Sequence, residues 1–268
     1  MTSTDIFDIS GRTVLVTGGA RGIGRMIAEG LLRAGVTVLL STRKADAVQE
    51  AQQELAQYGE VRAIAADIST EDGCRELAEQ VRGHTDHLDG LVNNAGATWG
   101  ATFDDFPPSA WDKVLGVNVK TPFMLAQLLR PLLEAGDATD PARIVNIGSI
   151  DGLAVPNYEN YSYSASKAAV HHLTRHMAST LAPSILVNSI APGPFPTKMM
   201  TWAIEEHGDE MRRANPLGRL GSPEDITGLV TFLLSPASSF ITGTTIPLDG
   251  GLTTTMSVGM YDQSDQPS

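Results

Sequence analysis

One cysteine, Cys74, stands in a chain of 268 residues. No intrachain disulfide can form, so the core must hold the fold; such cysteine usage fits a reducing compartment. Apolar runs are short, and none approaches the ~18 residues that a membrane-spanning helix needs. Positive charge is scarce: 19 Lys and Arg against 31 Asp and Glu leave a formal charge of −12. That balance argues against non-specific binding of DNA, RNA or an anionic membrane. The first residues carry no basic segment followed by an apolar one, so no secretion signal is expected and a cytoplasmic location is. No repeat, linker or low-complexity block divides the chain. What is present is ordinary for a globular protein with a sizeable core, 42% hydrophobic and 19% charged.

Strand-like and helix-like patterns alternate along the chain. Short buried-type strands read at 13–17, 36–41, 61–66, 88–93, 143–148, 185–190 and 244–248. Helical periods read at 23–34, 45–58, 71–83, 109–135 and 157–181, with another helix after Ser222. This alternation predicts an α/β fold: a single Rossmann-like, doubly wound parallel sheet of about seven strands with helices on both faces. Residues 1–10 read as a lead-in, 11–252 as the domain and 253–268 as a polar tail. Residues 195–220 have no strong period and read as a lid. Ser109-Ala-Trp-Asp112 resembles a capping box, and Pro122 and Pro131 predict kinks in the helix that follows. Ser222-Pro223-Glu224-Asp225 combines an N-cap serine, a first-turn proline and acids at the positive helix end. In such sheets ligands bind beyond the carboxyl ends of the strands, where Gly18, Asp67, Asn94, Ser149 and Pro192 all fall.

The first strand runs into Gly18-Gly-Ala-Arg21-Gly22-Ile23-Gly24 and then a helix. Glycines there let the backbone turn tightly and approach a pyrophosphate seated on the helix N-terminus. An NAD-selecting fold would carry Asp or Glu after the second strand, against the ribose 2′-hydroxyl. This chain has Thr42-Arg43-Lys44. A guanidinium pairs with a 2′-phosphate, which a carboxylate would repel, and Arg21 can add a second positive charge. The cofactor expected is NADP(H), with NAD(H) as the second choice.

Tyr163 and Lys167 stand four residues apart, on one face if the segment is helical. A phenol with pKa near ~10 is a poor acid–base catalyst at neutral pH. An ammonium about 5 Å away, at an effective dielectric of about 20, favours the phenolate by roughly 3 kcal/mol, about two pKa units. Ser149, at the end of the fifth strand, can set a hydroxyl beside that phenol.

Together, Thr17-Gly-Gly-Ala-Arg-Gly-Ile-Gly24, Asn93-Asn94-Ala95-Gly96, Asn118, Ser149, Tyr163-x-x-x-Lys167 and Pro192-Gly193-x-x-x-Thr197 resemble the short-chain dehydrogenase/reductase family. The resemblance covers about residues 11–252. It implies that Tyr163 exchanges a proton with the substrate oxygen and that Ser149 hydrogen-bonds this oxygen. Lys167 would depress the tyrosine and bind the nicotinamide ribose, and Asn118 would hold a water. Asp67 and Ile68 would lie at the adenine, Asn94, Ala95 and Gly96 along the adenosine, and Pro192, Gly193 and Thr197 at the carboxamide or phosphates. Asn93 is expected to tie neighbouring strands. Within the family, Asn94-Ala-Gly-Ala-Thr-Trp-Gly100 and Ile190-Ala-Pro-Gly-Pro-Phe-Pro196 look most like bacterial 3-oxoacyl-thioester reductases, including the type associated with rhamnolipid producers. Carrier-protein reductases of this kind present arginines at the ends of two long helices. Here those ends read Leu132-Leu-Glu-Ala-Gly-Asp137 and Met177-Ala-Ser-Thr-Leu-Ala-Pro183, so docking of an acidic acyl-carrier protein is not expected.

The expected function is NADP(H)-dependent reduction of a small-molecule ketone, a 3-oxoacyl thioester among the candidates. Two alternatives stand beside it: an NAD-dependent alcohol, polyol or hydroxysteroid dehydrogenase working oxidatively, and a non-catalytic cofactor sensor on the same fold. His172 and His176 have the spacing of a metal pair, but no Glu completes a site on that helix and no metal is expected. The long helices carry surplus apolar residues, including Phe123, Met124, Leu125, Leu128 and Leu129. The resemblance implies a homotetramer built on them. Asp151, two residues past Ser149, faces either a polar substrate or water.

Overall fold

The computed structural model describes residues 5–136, 139–198 and 200–255. Most of the polar tail therefore lies outside the described residues. Seven strands form one sheet in the order β3-β2-β1-β4-β5-β6-β7. They are β1 (Thr13–Thr17), β2 (Thr37–Thr42), β3 (Val61–Ala65), β4 (Gly90–Asn93), β5 (Ala142–Ile147), β6 (Ile185–Pro192) and β7 (Thr245–Leu248), and every pair is parallel. The helices between them are α1 (Gly22–Arg33), α2 (Asp46–Leu55), α3 (Glu71–Arg82), α4 (Pro108–Leu115), α5 (Thr121–Leu133), α6 (Tyr161–Leu181), α7 (Thr201–Ala214) and α8 (Pro223–Leu234).

Both sheet faces are covered, and strand alternation sorts the residues between them. Val14 and Val16 of β1 pack with Ile27 and Leu31 of α1, Leu55 of α2, and Ile226 and Val230 of α8. Leu15, between them, points the other way, into a core with Leu77 of α3, Leu125 and Leu129 of α5, and Met177 of α6. Cys74 is buried in this second core as a free thiol. The order turns back between β1 and β4, so their carboxyl ends flank the crevice that such a reversal opens.

Three local expectations are corrected. The capping box at Ser109 does not form: α4 begins one residue earlier, with Pro107 at its N-cap and no side-chain cap. A proline already fits the first helical turn, where no N–H partner is needed. The helix expected over 109–135 is interrupted by a π turn, Gly116–Lys120, and Pro122 simply starts α5. The segment without a strong period contains α7, a mostly exposed helix that is polar on average. Ser222, by contrast, makes its capping box with Asp225 as its residues predict.

Candidate active site

The site is assembled from strand ends. At the crevice, Thr17 Oγ1 accepts the N–H groups of Asn94 and Ala95, each at 3.0 Å, and Asn94 Nδ2 donates to the Thr17 carbonyl at 2.9 Å. Asn93 Nδ2 donates to Asn146 Oδ1 at 2.9 Å, tying β4 to β5 as expected. Gly18 and Gly22 adopt φ of 65° and 56°, the left-handed region that favours glycine. Gly24 is required for a different reason. A Cβ there would sit 2.3 Å from the Gly18 carbonyl oxygen and 2.4 Å from Asn94 Nδ2.

Helix α1 then starts with no side-chain cap at Arg21 and no acid in its first turn. Its first amides have no side-chain acceptor, the donor set an anionic phosphate accepts. Thr197 comes to the same turn: a Cβ on Gly22 would lie 3.6 Å from its Cγ2. At the end of β2, Thr42 is half-buried and Arg43 exposed, and neither Arg21 nor Arg43 has an ion-pair partner among the described residues. Hydrogen bonds from Ser69, and more weakly the Arg43 charge, hold the Asp67 carboxyl below its usual range. Ile68 is 7% exposed and packs into the core, so little of its side chain is left for a ligand. Gly193 donates its N–H to Leu248 at 3.0 Å, fixing the chain beyond Pro192 against β7. Glycine turn, uncapped helix and free guanidinium fit a dinucleotide with an additional phosphate.

The catalytic candidates lie at the end of β5. Ser149 and the 3-10 turn Ile150–Gly152 rest directly on α6: a Cβ on Gly148 would strike His171 Nε2 at 2.2 Å, and one on Gly152 would meet the Ala168 nitrogen at 2.6 Å. This close seating brings Ser149 within hydrogen-bonding reach of Tyr163. Burial pushes the Tyr163 phenol up to about 12, the Ser149 bond pulls it back in part, and the Asp151 charge raises it further. Lys167, 5% exposed, donates Nζ to the Ile147 carbonyl at 2.8 Å, with Nζ 5.4 Å from the Tyr163 ring centroid. Burial lowers its ammonium to about 8, opposed by Asp151. The expected depression of the phenol by Lys167 is therefore not met in this arrangement. The ammonium is directed to the Ile147 carbonyl, and the phenol's shift is governed by desolvation, with Ser149 and Asp151 as the smaller causes.

Asn118 projects from the π turn. Its Nδ2 donates to the Ala97 carbonyl and to Ser166 Oγ, each at 2.9 Å, while Oδ1 accepts the Ala97 N–H at 2.8 Å. The side chain is thus a brace between the loop after β4 and α6. Gly96 lies at the junction, since a Cβ there would be 3.4 Å from Asn118 Oδ1 and 3.8 Å from Lys167 Nζ.

Sequence reasoning assigned no role to three nearby residues. Tyr158 OH and Asn160 Nδ2 both donate to Asp151 Oδ2, at 2.8 and 2.9 Å. His171 is 3% exposed, and neither ring nitrogen has a hydrogen-bond partner of good geometry. Burial first, then the Lys167 charge, lowers it to about 4. Its four-residue spacing from Lys167 was the available signal. His172 and His176 are exposed on α6, and among the described residues no group of three or more His, Cys, Asp or Glu is placed to hold a metal ion.

The chain is similar to known proteins. The family described as enoyl-(acyl carrier protein) reductase, adh_short_C2, matches residues 18–253. The rhamnolipids biosynthesis 3-oxoacyl-[acyl-carrier-protein] reductase of Pseudomonas aeruginosa is 44% identical over 91% of this chain and 97% of its own. The gluconate 5-dehydrogenase of Gluconobacter oxydans is 34% identical over 96% of this chain and 100% of its own. Among solved structures, the Pseudomonas aeruginosa RhlG/NADP active-site complex superposes with a TM-score of 0.90 at 42% identity, covering 93% of this chain and 99% of that one. With the glycine turn, the Asn93–Gly96 loop and the Ser149–Tyr163–Lys167 cluster brought to one crevice, the chain belongs to the short-chain dehydrogenase/reductase family.

Proposed function

We propose that this protein is an NADP(H)-dependent oxidoreductase that reduces a small-molecule ketone to a secondary alcohol, with Tyr163 as the proton donor. The observation that carries the reading is the placement of Tyr163 with Lys167 Nζ 5.4 Å from its ring and Ser149 near its phenol, beside the uncapped glycine turn. Bound NADPH would supply the hydride for the carbonyl carbon. The protein's own part is position and proton management. With its phenol pushed up to about 12, Tyr163 is protonated at neutral pH, the state that a general acid for reduction requires. Ser149 offers a hydrogen bond to the carbonyl oxygen as negative charge develops there. Lys167, fixed by the Ile147 carbonyl, supplies positive charge beneath the phenol.

Arg43, Thr42 and Arg21 would hold the 2′-phosphate end, and Gly18, Gly22, Ile23 and Gly24 the pyrophosphate. Asp67, Ile68, Asn94, Ala95 and Gly96 would line the adenosine, and Pro192, Gly193 and Thr197 the nicotinamide side. An NAD-selecting site would need an acceptor for the ribose hydroxyl where this chain has an unpaired guanidinium. A carrier protein is not part of the proposal: Arg130, at the end of α5, is already paired with Glu134. A cytoplasmic homotetramer is, on the strength of the exposed Phe123 beside the buried Leu125 and Leu129 of α5; light scattering on the purified protein tests its mass.

The decisive experiment pairs coenzyme binding with turnover. NADPH should bind more tightly than NADH, and a ketone panel should be reduced by wild type. Tyr163→Phe should bind NADPH yet fail to turn over. Preference for NADH would overturn the cofactor assignment, and an active Tyr163→Phe would overturn the mechanism.

A further inference from the structure

The substrate side of the site contains a carboxylate that the reduction chemistry does not use. Asp151 is tied to the reacting centre through its backbone, whose N–H donates to Ser149 Oγ at 3.2 Å. Its side chain is held by two donors on one oxygen: Tyr158 OH and Asn160 Nδ2 both reach Oδ2. The other oxygen, Oδ1, has no hydrogen-bond partner among the described residues and is not one of the buried, unpartnered atoms, so it is open to a ligand. No Lys, Arg or His among the described residues pairs with this carboxylate. Its field nevertheless reaches the catalytic pair, where it acts on both Tyr163 and Lys167. A carboxylate serving only as a solvated surface group has no need of two dedicated donors, one of them on the buried Asn160.

A fixed, acceptor-only oxygen at this place matches a ligand that brings a donor. Ser149 fixes where the substrate carbonyl oxygen sits, and Asp151 is two residues further along the same turn. Because the Asp151 N–H donates to Ser149 Oγ, the carboxylate and the carbonyl-binding hydroxyl share one turn, and the nearest substrate position for such a donor is a carbon adjacent to the carbonyl. We propose that Asp151 is a specificity-determining residue whose open carboxylate oxygen accepts a hydrogen bond from a hydroxyl next to the reacting carbonyl, making hydroxyketones the preferred substrate class. This rests on the reading of Ser149 and Tyr163 as the ketone-reducing pair. A 3-oxoacyl thioester has only C–H bonds on the carbons flanking its ketone, so it leaves Oδ1 unanswered. An anionic group at that position would be repelled.

The test is a matched pair: NADPH-dependent kcat/KM for 1-hydroxy-2-butanone against 2-butanone, with acetoacetyl-coenzyme A as the thioester. Wild type should favour the hydroxyketone over both by ~10-fold or more, the range of a hydrogen bond to a charged acceptor. In Asp151→Ala the hydroxyketone-to-ketone ratio should fall towards one, with NADPH titration confirming that the variant is folded. Should Asp151→Ala not fold, Asp151→Asn keeps the side-chain shape and should lower the same ratio. A merely structural Asp151 would lower both rates alike and leave the ratio standing. Equal rates for the pair in wild type, a better rate with the thioester, or a ratio that survives substitution overturns the inference while leaving ketone reduction in place. Turnover of no ketone at all overturns ketone reduction itself, and this inference with it.

Discussion

The two halves of the crevice are built on opposite principles. On the cofactor side, the polar side chains at the β1–β4 reversal are spent on one another: Asn94 on Thr17, Asn93 on Asn146. The turn before α1 offers backbone amides and glycines, with the exposed Arg43 beyond it at the end of β2. On the substrate side, ionisable side chains are held away from water, and Tyr163, Lys167 and His171 all have their proton affinities displaced, chiefly by burial. The first half recognises a constant molecule through shape. The second holds groups whose proton affinities burial has displaced. At neutral pH only the buried Lys167 ammonium costs folding energy, since the Tyr163 phenol and the His171 imidazole are neutral both folded and unfolded.

That contrast can be broken in four places. The largest effect is expected at Tyr163: Phe should reduce kcat by about 10³-fold, within the range of general acid catalysis, and leave the NADPH Kd unchanged in titration. Next is the pH dependence of stability through His171. Its folded value near 4 lies below the unfolded value of 6.5, so above pH 6.5 the imidazole is neutral in both states. As pH falls towards 4, the unfolded chain takes up a proton that the folded one refuses, and about 3 kcal/mol of stability is lost. Denaturant titrations at pH 7 and pH 5 should show the decline, and His171→Gln should flatten it. Asn118 joins the two halves, so Asn118→Ala should cost about 2 kcal/mol and weaken NADPH binding and kcat together, where Tyr163→Phe separates them. The smallest effect is at the cofactor rim: Arg43→Ala should weaken NADPH by about 10-fold and leave NADH unchanged in a fluorescence titration.

The same division governs what could be read before the structure. Sheet, helices and glycine turn repeat local rules, so Thr13–Thr17 running into Gly18 and Gly22 was legible as strand and turn. Ser149 and Tyr163 were legible as a pair because their chemistry restricts the partners they can have. The state of that pair was not. The phenol's proton affinity depends on how deeply α6 seats against Gly148 and Gly152, and on where Lys167 Nζ points, neither of which a four-residue spacing reports. Helix α7 escaped notice because it is mostly exposed and polar on average, so it lacks the apolar residues that mark a core helix. The Tyr158–Asp151–Asn160 unit escaped because its members come together only through the turn after β5 and the start of α6.

The π turn at Gly116–Lys120 has a consequence for the chain as a reading frame. A π turn is an α-helix with one residue too many, and each residue of a helix advances the next by ~100°. Upstream of the surplus, α4 is phased to bury Ala110 and Val114; downstream, α5 is phased to bury Leu125 and Leu129. The under-wound turn absorbs the surplus locally, so α4 and α5 keep one phase; deleting Val117 would restore a regular helix and remove the bulge from which Asn118 projects. The leucines would keep the core, and the grip of Asn118 on Ala97 and Ser166 would be lost. The length of this segment is therefore as constrained as the identity of any residue in it, and a one-residue deletion here should be worse tolerated than most substitutions.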